Sequence, residues 1–137
     1  MELHKKDFGK AGEAAVIQQA LEHSCAVFVE FGDNSTIDLI VQSKKGLQRV
    51  QVKMVSRSAN DQNATKLLLY KNGPGYRFKY TSDDLDWFAV VDATTKKIAW
   101  VPSTVCDTAS SLTLRHEVPK RIKSGFEMFD DYTSFPL

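Results

Sequence analysis

The chain has 137 residues, 42% hydrophobic and 26% charged, with a net charge of +1, which fits one globular domain and excludes a disordered chain. No apolar run approaches the ~20 residues that span a bilayer, and the opening Met-Glu-Leu-His-Lys-Lys-Asp lacks the apolar stretch of a secretory signal. Cys25, Cys106, His4, His23 and His116 stand isolated, so neither a disulfide framework nor a zinc site is expected; a cytoplasmic protein is, with Cys25 as core filling.

Residues 9–23 predict an amphipathic helix, with Ala14, Ile17, Ala20 and Leu21 at helical spacing and Asp7 as its cap. Residues 26–31 have strand composition and end at the turn signal of residues 32–35. Residues 36–41 form a second strand, 43–46 a turn and 47–55 a third strand. Residues 56–65 are polar and predict an exposed loop. Residues 66–70 and 76–80 flank Lys71-Asn-Gly-Pro-Gly75, a hairpin signal. Two more strands follow at 86–92 and 98–101. The tail carries Phe126, Met128, Phe129, Tyr132 and Phe135, which must pack on the core or on another subunit. One helix, a hairpin and further strands predict a mixed α+β (α/β) architecture in a single domain, 1–137.

The charge is unevenly spread. Between residues 39 and 82 there are nine basic side chains against one acid, Asp61, a local charge of +8, while the remainder carries −7. Gathered on one face, the basic stretch would suit a polyanion; the alternative is a surface balanced by acids from elsewhere.

The second and third strands define a register. A turn at 43–46 pairs Gln42 with Leu47, which sets Leu39 opposite Val50, Asp38 opposite Gln51 and Ile37 opposite Val52. Ile37, Leu39, Val41, Val50, Val52 and Met54 then form one apolar face, with Asp38, Gln51 and Lys53 on the other. Such alternation commonly marks a solvated face. Here Ile40 and Val55 interrupt it, and the covering helix carries Glu13 beside its apolar stripe, either as a boundary charge or aimed at a site.

Gly12-Glu13 on the opening helix, Asp38 within Thr36-Ile-Asp-Leu-Ile40, and Gln51-Val-Lys53 resemble the PD-(D/E)XK nuclease signature. That signature is an acid at a strand start, then acid-x-Lys on the neighbouring strand, often with a helical Glu. Phe31-Gly-Asp-Asn-Ser-Thr-Ile-Asp38, Arg49-Val-Gln-Val-Lys53 and Asp86-Trp-Phe-Ala-Val90 resemble most the small branch of intron-encoded homing endonucleases. The resemblance implies a restriction-endonuclease-like core, a central mixed sheet flanked by helices. It also implies a site-specific endonuclease that cuts double-stranded DNA with Mg²⁺ (Mn²⁺ substituting), as a homo-oligomer, dimer or tetramer. Glu13, Asp38, Gln51 and Lys53 would be catalytic, with Mg²⁺ held by Asp38, Gln51 and Glu13, and Asp86 in a supporting or structural role. Gln51 stands where most of the superfamily has Asp or Glu. Its amide oxygen can ligate a hard cation but adds no negative charge, so the ion would lean on Asp38, Glu13, waters and phosphate. Lys53 would orient the attacking water and offset charge in the transition state.

Binding would come from the basic stretch. Lys44, Lys45, Arg49, Arg57, Lys66, Lys71, Arg77 and Lys79 are candidate DNA contacts, largely to phosphate. Asn60, Gln62 and Asn63 join Arg57 as side chains able to read purine edges. Tyr70, Tyr76, Phe78 and Tyr80 alternate with cations and could stack on unpaired bases, though strand aromatics more often pack the sheet. The alternatives are a structure-selective nuclease such as a Holliday junction resolvase, a non-catalytic nucleic-acid-binding module, and a domain that meets an acidic protein.

Overall fold

In the computed structural model, residues 4–57, 63–121 and 125–137 are described. Helix α1 (Lys5–Glu22) starts earlier than its spacing predicts, and the side chain of His4, not Asp7, accepts the Lys6 N–H at its first turn. Asp7 lies inside that turn, where its charge complements the helix dipole. The buried face is Gly12, Val16 and Ala20, whereas Ala14 is exposed and Leu21 is 58% exposed. Small residues win because the helix comes very close to the sheet: a Cβ at Gly12 would lie 2.8 Å from Met54 Cβ.

The helix packs on a five-stranded sheet of order β1-β2-β3-β7-β8. Its strands are β1 (Ala26–Val29), β2 (Leu39–Ser43), β3 (Gly46–Val55), β7 (Trp87–Asp92) and β8 (Ile98–Pro102). Neighbours are antiparallel except β3 and β7, which run parallel, so the sheet is mixed. The β2–β3 register is the one the alternation predicts, with Leu39 opposite Val50 and Gln42 opposite Leu47. The turn is tighter than expected: Ser43 pairs with Gly46, which takes a φ of +96° that favours glycine.

Two apolar clusters lie on opposite faces of this sheet. Beneath α1, Val16 and Ala20 meet Leu39, Val41, Val50, Ala89, Val91 and Trp100. On the other face, Phe88, Val90 and Val101 meet Leu67, Leu69, Tyr80, Leu85, Leu114 and Phe129. That second face is covered by a three-stranded sheet, β10 (Glu127–Met128)-β9 (Ser111–Arg115)-β4 (Ala64–Leu68), not by a helix. α1 is the one α-helix among the described residues, so the expected helical flank is present on one side alone. Strands β7 and β8 are covered on both faces, which explains their nearly continuous apolar sequence.

The polar stretch before Lys66 ends sooner than predicted, because Ala64 and Thr65 already pair with Arg115 and Leu114. β5 (Tyr70–Gly73) and β6 (Tyr76–Lys79) form a separate two-stranded ribbon turning at Pro74 and Gly75. The aromatic tail packs on its own domain: Phe129 is buried, and Phe135 stacks on His23 at 4.1 Å and meets Trp100 edge-on at 5.4 Å. No helix among the described residues is long and apolar enough to cross a membrane.

Candidate active site

Asp38 sits where β2 leaves β3. Its N–H donates to the Val50 carbonyl at 3.0 Å, and its carboxylate accepts the Val52 N–H at 2.8 Å. A side-chain oxygen thus satisfies the strand amide that a longer β2 would have taken. Burial pushes the Asp38 pKa above the ordinary range against the pull of the Val52 hydrogen bond; Glu13 raises it further, while Lys53 and Lys10 lower it. These charges reach Asp38 from both sides of the sheet, Glu13 and Lys10 from α1 and Lys53 from the face away from it.

Glu13 owes its place to its neighbour. Gly12 lets α1 approach Met54, and the next side chain, Glu13, comes to line a recess of about 290 Å³ together with Asp38, Glu30 and Asp33. Glu13 also pairs with Lys10 at 2.9 Å.

Gln51 and Lys53 point to the opposite face, as strand alternation requires of neighbours of Val52 and Met54. There both meet Tyr80, which is 1% exposed. Gln51 Nε2 donates to Tyr80 Oη at 3.0 Å, and Lys53 Nζ stands 5.3 Å from the centre of the Tyr80 ring. With its nitrogen engaged, Gln51 presents a buried Oε1 that accepts no hydrogen bond among the described residues. Tyr80 is the residue that sequence reasoning missed: its burial removes it from the base-stacking candidates and makes it a support for the amide. Only its place at the end of a strand marked it, and that carries no such signal.

The remaining predicted residues separate into two groups. Arg49 is committed to the fold: Nε and Nη2 donate to the Asp86 carboxylate at 3.2 and 3.1 Å, and Nη1 donates to the Asp83 carbonyl. The Arg49 hydrogen bond holds the Asp86 carboxyl below its ordinary range, so the two side chains fasten each other within the fold. Arg57 likewise pairs at 3.2 Å with Asp92, which is inaccessible to solvent. Burial opposes ionisation of Asp92, yet hydrogen bonds from Thr94, Thr95 and Arg57 hold its pKa below the ordinary value. Asn63 accepts the His116 N–H on its backbone carbonyl at 2.6 Å. Lys45 donates to the Pro136 carbonyl at 2.7 Å, while Lys44, Lys66, Lys71, Arg77 and Lys79 are exposed. Asn60 and Gln62 lie outside the described residues.

No three His, Cys, Asp or Glu side chains among the described residues are grouped to hold a metal ion. The oxygens offered by the predicted set are two carboxylates and an amide. A hard, oxygen-seeking cation suits such donors, and the buried Gln51 Oε1 without a partner is the atom a cation would satisfy.

The PD-(D/E)XK endonuclease family model matches residues 3–135, and the chain belongs to that family. Among solved structures it is similar to that of a bacterial homing endonuclease, I-Ssp6803I, with a TM-score of 0.79 and 22% identity, over 95% of this chain and 88% of that one. The shared fold is the restriction-endonuclease-like one, a mixed sheet with α1 against it. No curated protein sequence matches. The chain is thus a nuclease by family, and PD-(D/E)XK nucleases generally use divalent metal ions.

Proposed function

We propose that this chain is a Mg²⁺-dependent endonuclease that cuts duplex DNA at specific sites, as homing endonucleases do. The observation that carries the reading is the position of Asp38, which lines a recess with Glu13 from α1 and feels the charge of Lys53, while Gln51 on the other face offers a buried oxygen without a partner among the described residues. Asp38, Glu13 and Gln51 would hold the ion, which when bound supplies Lewis-acid polarisation of a phosphate. The chain's own groups do the rest. Lys53 places a positive charge where negative charge grows on the phosphate and donates to the attacking water. Tyr80 holds Gln51 so that the amide presents oxygen and not nitrogen. Burial is the main cause of the raised Asp38 pKa, and a bound cation would favour its ionised form.

One such site cuts one strand, so cutting both strands calls for a symmetric pair of subunits and a near-palindromic target. The test is incubation of genomic DNA with the protein and Mg²⁺, followed by mapping of the ends. Recurrent positions are expected, and Asp38→Ala and Lys53→Ala should each lose roughly 10²-fold or more in cleavage rate with DNA binding retained. Parental cleavage by both variants would sink the site assignment.

A further inference from the structure

The β5–β6 ribbon contributes nothing to either core cluster beyond the residues at its root, Leu69 and Tyr80. All of β6 is exposed, and residues 64–80 hold four cations and no acid. Directly opposed residues of an antiparallel pair share a face. One face therefore carries Tyr70, Lys79, Asn72 and Arg77, the other Lys71, Phe78, Gly73 and Tyr76. The second face is closed over by its own aromatics: the Tyr76 ring lies over Gly73, where a Cβ would collide with it, and Phe78 meets Tyr80 edge-on.

The first face is organised around Arg77. Its guanidinium carbon stands 4.1 Å from the centre of the Tyr70 ring, and its Nε donates to Asn72 Oδ1 at 3.2 Å. The two terminal nitrogens make no hydrogen bond within the protein among the described residues. An exposed arginine ordinarily samples many rotamers. Here a ring and an amide hold the plane of the fork before anything binds, which lowers the ordering cost of a two-pronged contact. A fixed fork suits two acceptors side by side; phosphate oxygens and the O6 and N7 of guanine both offer them, and the guanine pair lies in the groove that a ribbon can enter. The major groove of B-form DNA also admits a two-stranded ribbon, and that of A-form RNA is too narrow for side-chain reading.

We propose that the β5–β6 ribbon enters the major groove of duplex DNA and that Arg77 reads a guanine there, making it a specificity-determining residue. The inference rests on the DNA-cutting reading above. Because the ribbon returns into Tyr80, which holds Gln51, the reading element is anchored directly at the candidate site.

The test is selection of bound duplexes from a randomised DNA pool in EDTA, so that no cleavage is required. The parent should enrich a motif containing a fixed G. Arg77→Ala and Arg77→Lys should both bind with that position degenerate, the preference falling from about 5- to 150-fold to near unity. Lys71→Ala should weaken all sequences alike and keep the motif. Arg77→Lys decides the matter even if the alanine variant folds poorly, since it keeps the charge and removes only the fork. An unchanged motif in Arg77→Lys overturns the proposal, as does a parent that enriches nothing or binds duplex RNA equally well. Cleavage without an Arg77-dependent motif sinks this inference alone; a motif without cleavage sinks the nuclease reading alone.

Discussion

The parallel seam between β3 and β7 and the β5–β6 ribbon draw their cations from the same basic stretch of sequence, yet the fold treats them oppositely. At the seam, Asp86 precedes β7 and takes Arg49, while Asp92 ends β7 and takes Arg57, so each end of the strand pair is fastened by an ion pair. On the ribbon, Lys71, Arg77 and Lys79 are exposed and have no acid among their pairing partners. A run of charge in sequence is therefore not a surface charge. Part of it is consumed by acids that the topology brings alongside, and what remains is concentrated on an element that packs little of its own apolar surface. The carboxylates divide in the same way: those of the seam are held below the ordinary pKa range, whereas Asp38 is held above it.

Breaking the seam should have the largest effect. Asp92→Ala takes an acceptor from Arg57, Thr94 and Thr95 in a place without solvent. Removing one partner of a buried pair costs about 3–5 kcal/mol, measurable as a lower midpoint in urea. Because the seam carboxylates are ionised in the folded state with lowered pKa values, their stabilisation is present at neutral pH. It should disappear as pH falls below the ordinary carboxylate range, through the folded-state values. A variant as stable as the parent would show that the seam arginines are surface charges after all.

The seam was also the part least legible in the sequence. Arg49 and Asp86 are separated by 37 positions, and Arg57 and Asp92 by 35, and nothing local in either sequence context announces the other. The β2–β3 register was legible, because strict alternation leaves one pairing that buries the apolar set, although β2 begins at Leu39 and not at residue 36 and the two strands run on to Ser43 and from Gly46. The kinds of residue in the candidate site, a carboxylate, an amide and an ammonium on two adjoining strands, followed from that register. Their division between the two faces did not: Asp38 leaves the alternation at the strand end and bonds to a backbone amide instead. The helix stripe was legible in part: Ala20 is buried and Ile17 packs against the core as expected, but Ala14 and Leu21 are exposed, and Gly12 and Val16 complete the face that the close approach to Met54 selects.

The ribbon gives the second, intermediate effect. Lys71→Ala with Lys79→Ala should leave the urea midpoint nearly unchanged, within about 0.5 kcal/mol for exposed substitutions away from packing. DNA affinity should fall together with the salt slope, by about one for each phosphate no longer neutralised. Full affinity and an unaltered slope in the double variant would mean that these lysines do not face the nucleic acid.

The smallest effect sharpens the contrast between carboxylates. Asp38→Asn keeps an oxygen able to accept the Val52 N–H but cannot ionise. The folded state raises the Asp38 pKa, so the protonated acid is favoured by folding. That contribution is whole below the unfolded value, about 3.9, and is lost as pH rises through the folded one. At pH 8 the parent therefore carries an ionised Asp38 at a cost, and the asparagine variant should melt higher, by an amount corresponding to about 1 kcal/mol or less. The difference should shrink as the pH is lowered toward 4, opposite in sense to the acid loss expected at the seam, because Asp86 and Asp92 titrate alike in both proteins and cancel. Mg²⁺ provides the last discriminating arm. If Asp38 holds the ion, adding it should raise the melting temperature of the parent at pH 8 and leave that of Asp38→Asn nearly still. An equal rise in both would place the ion elsewhere.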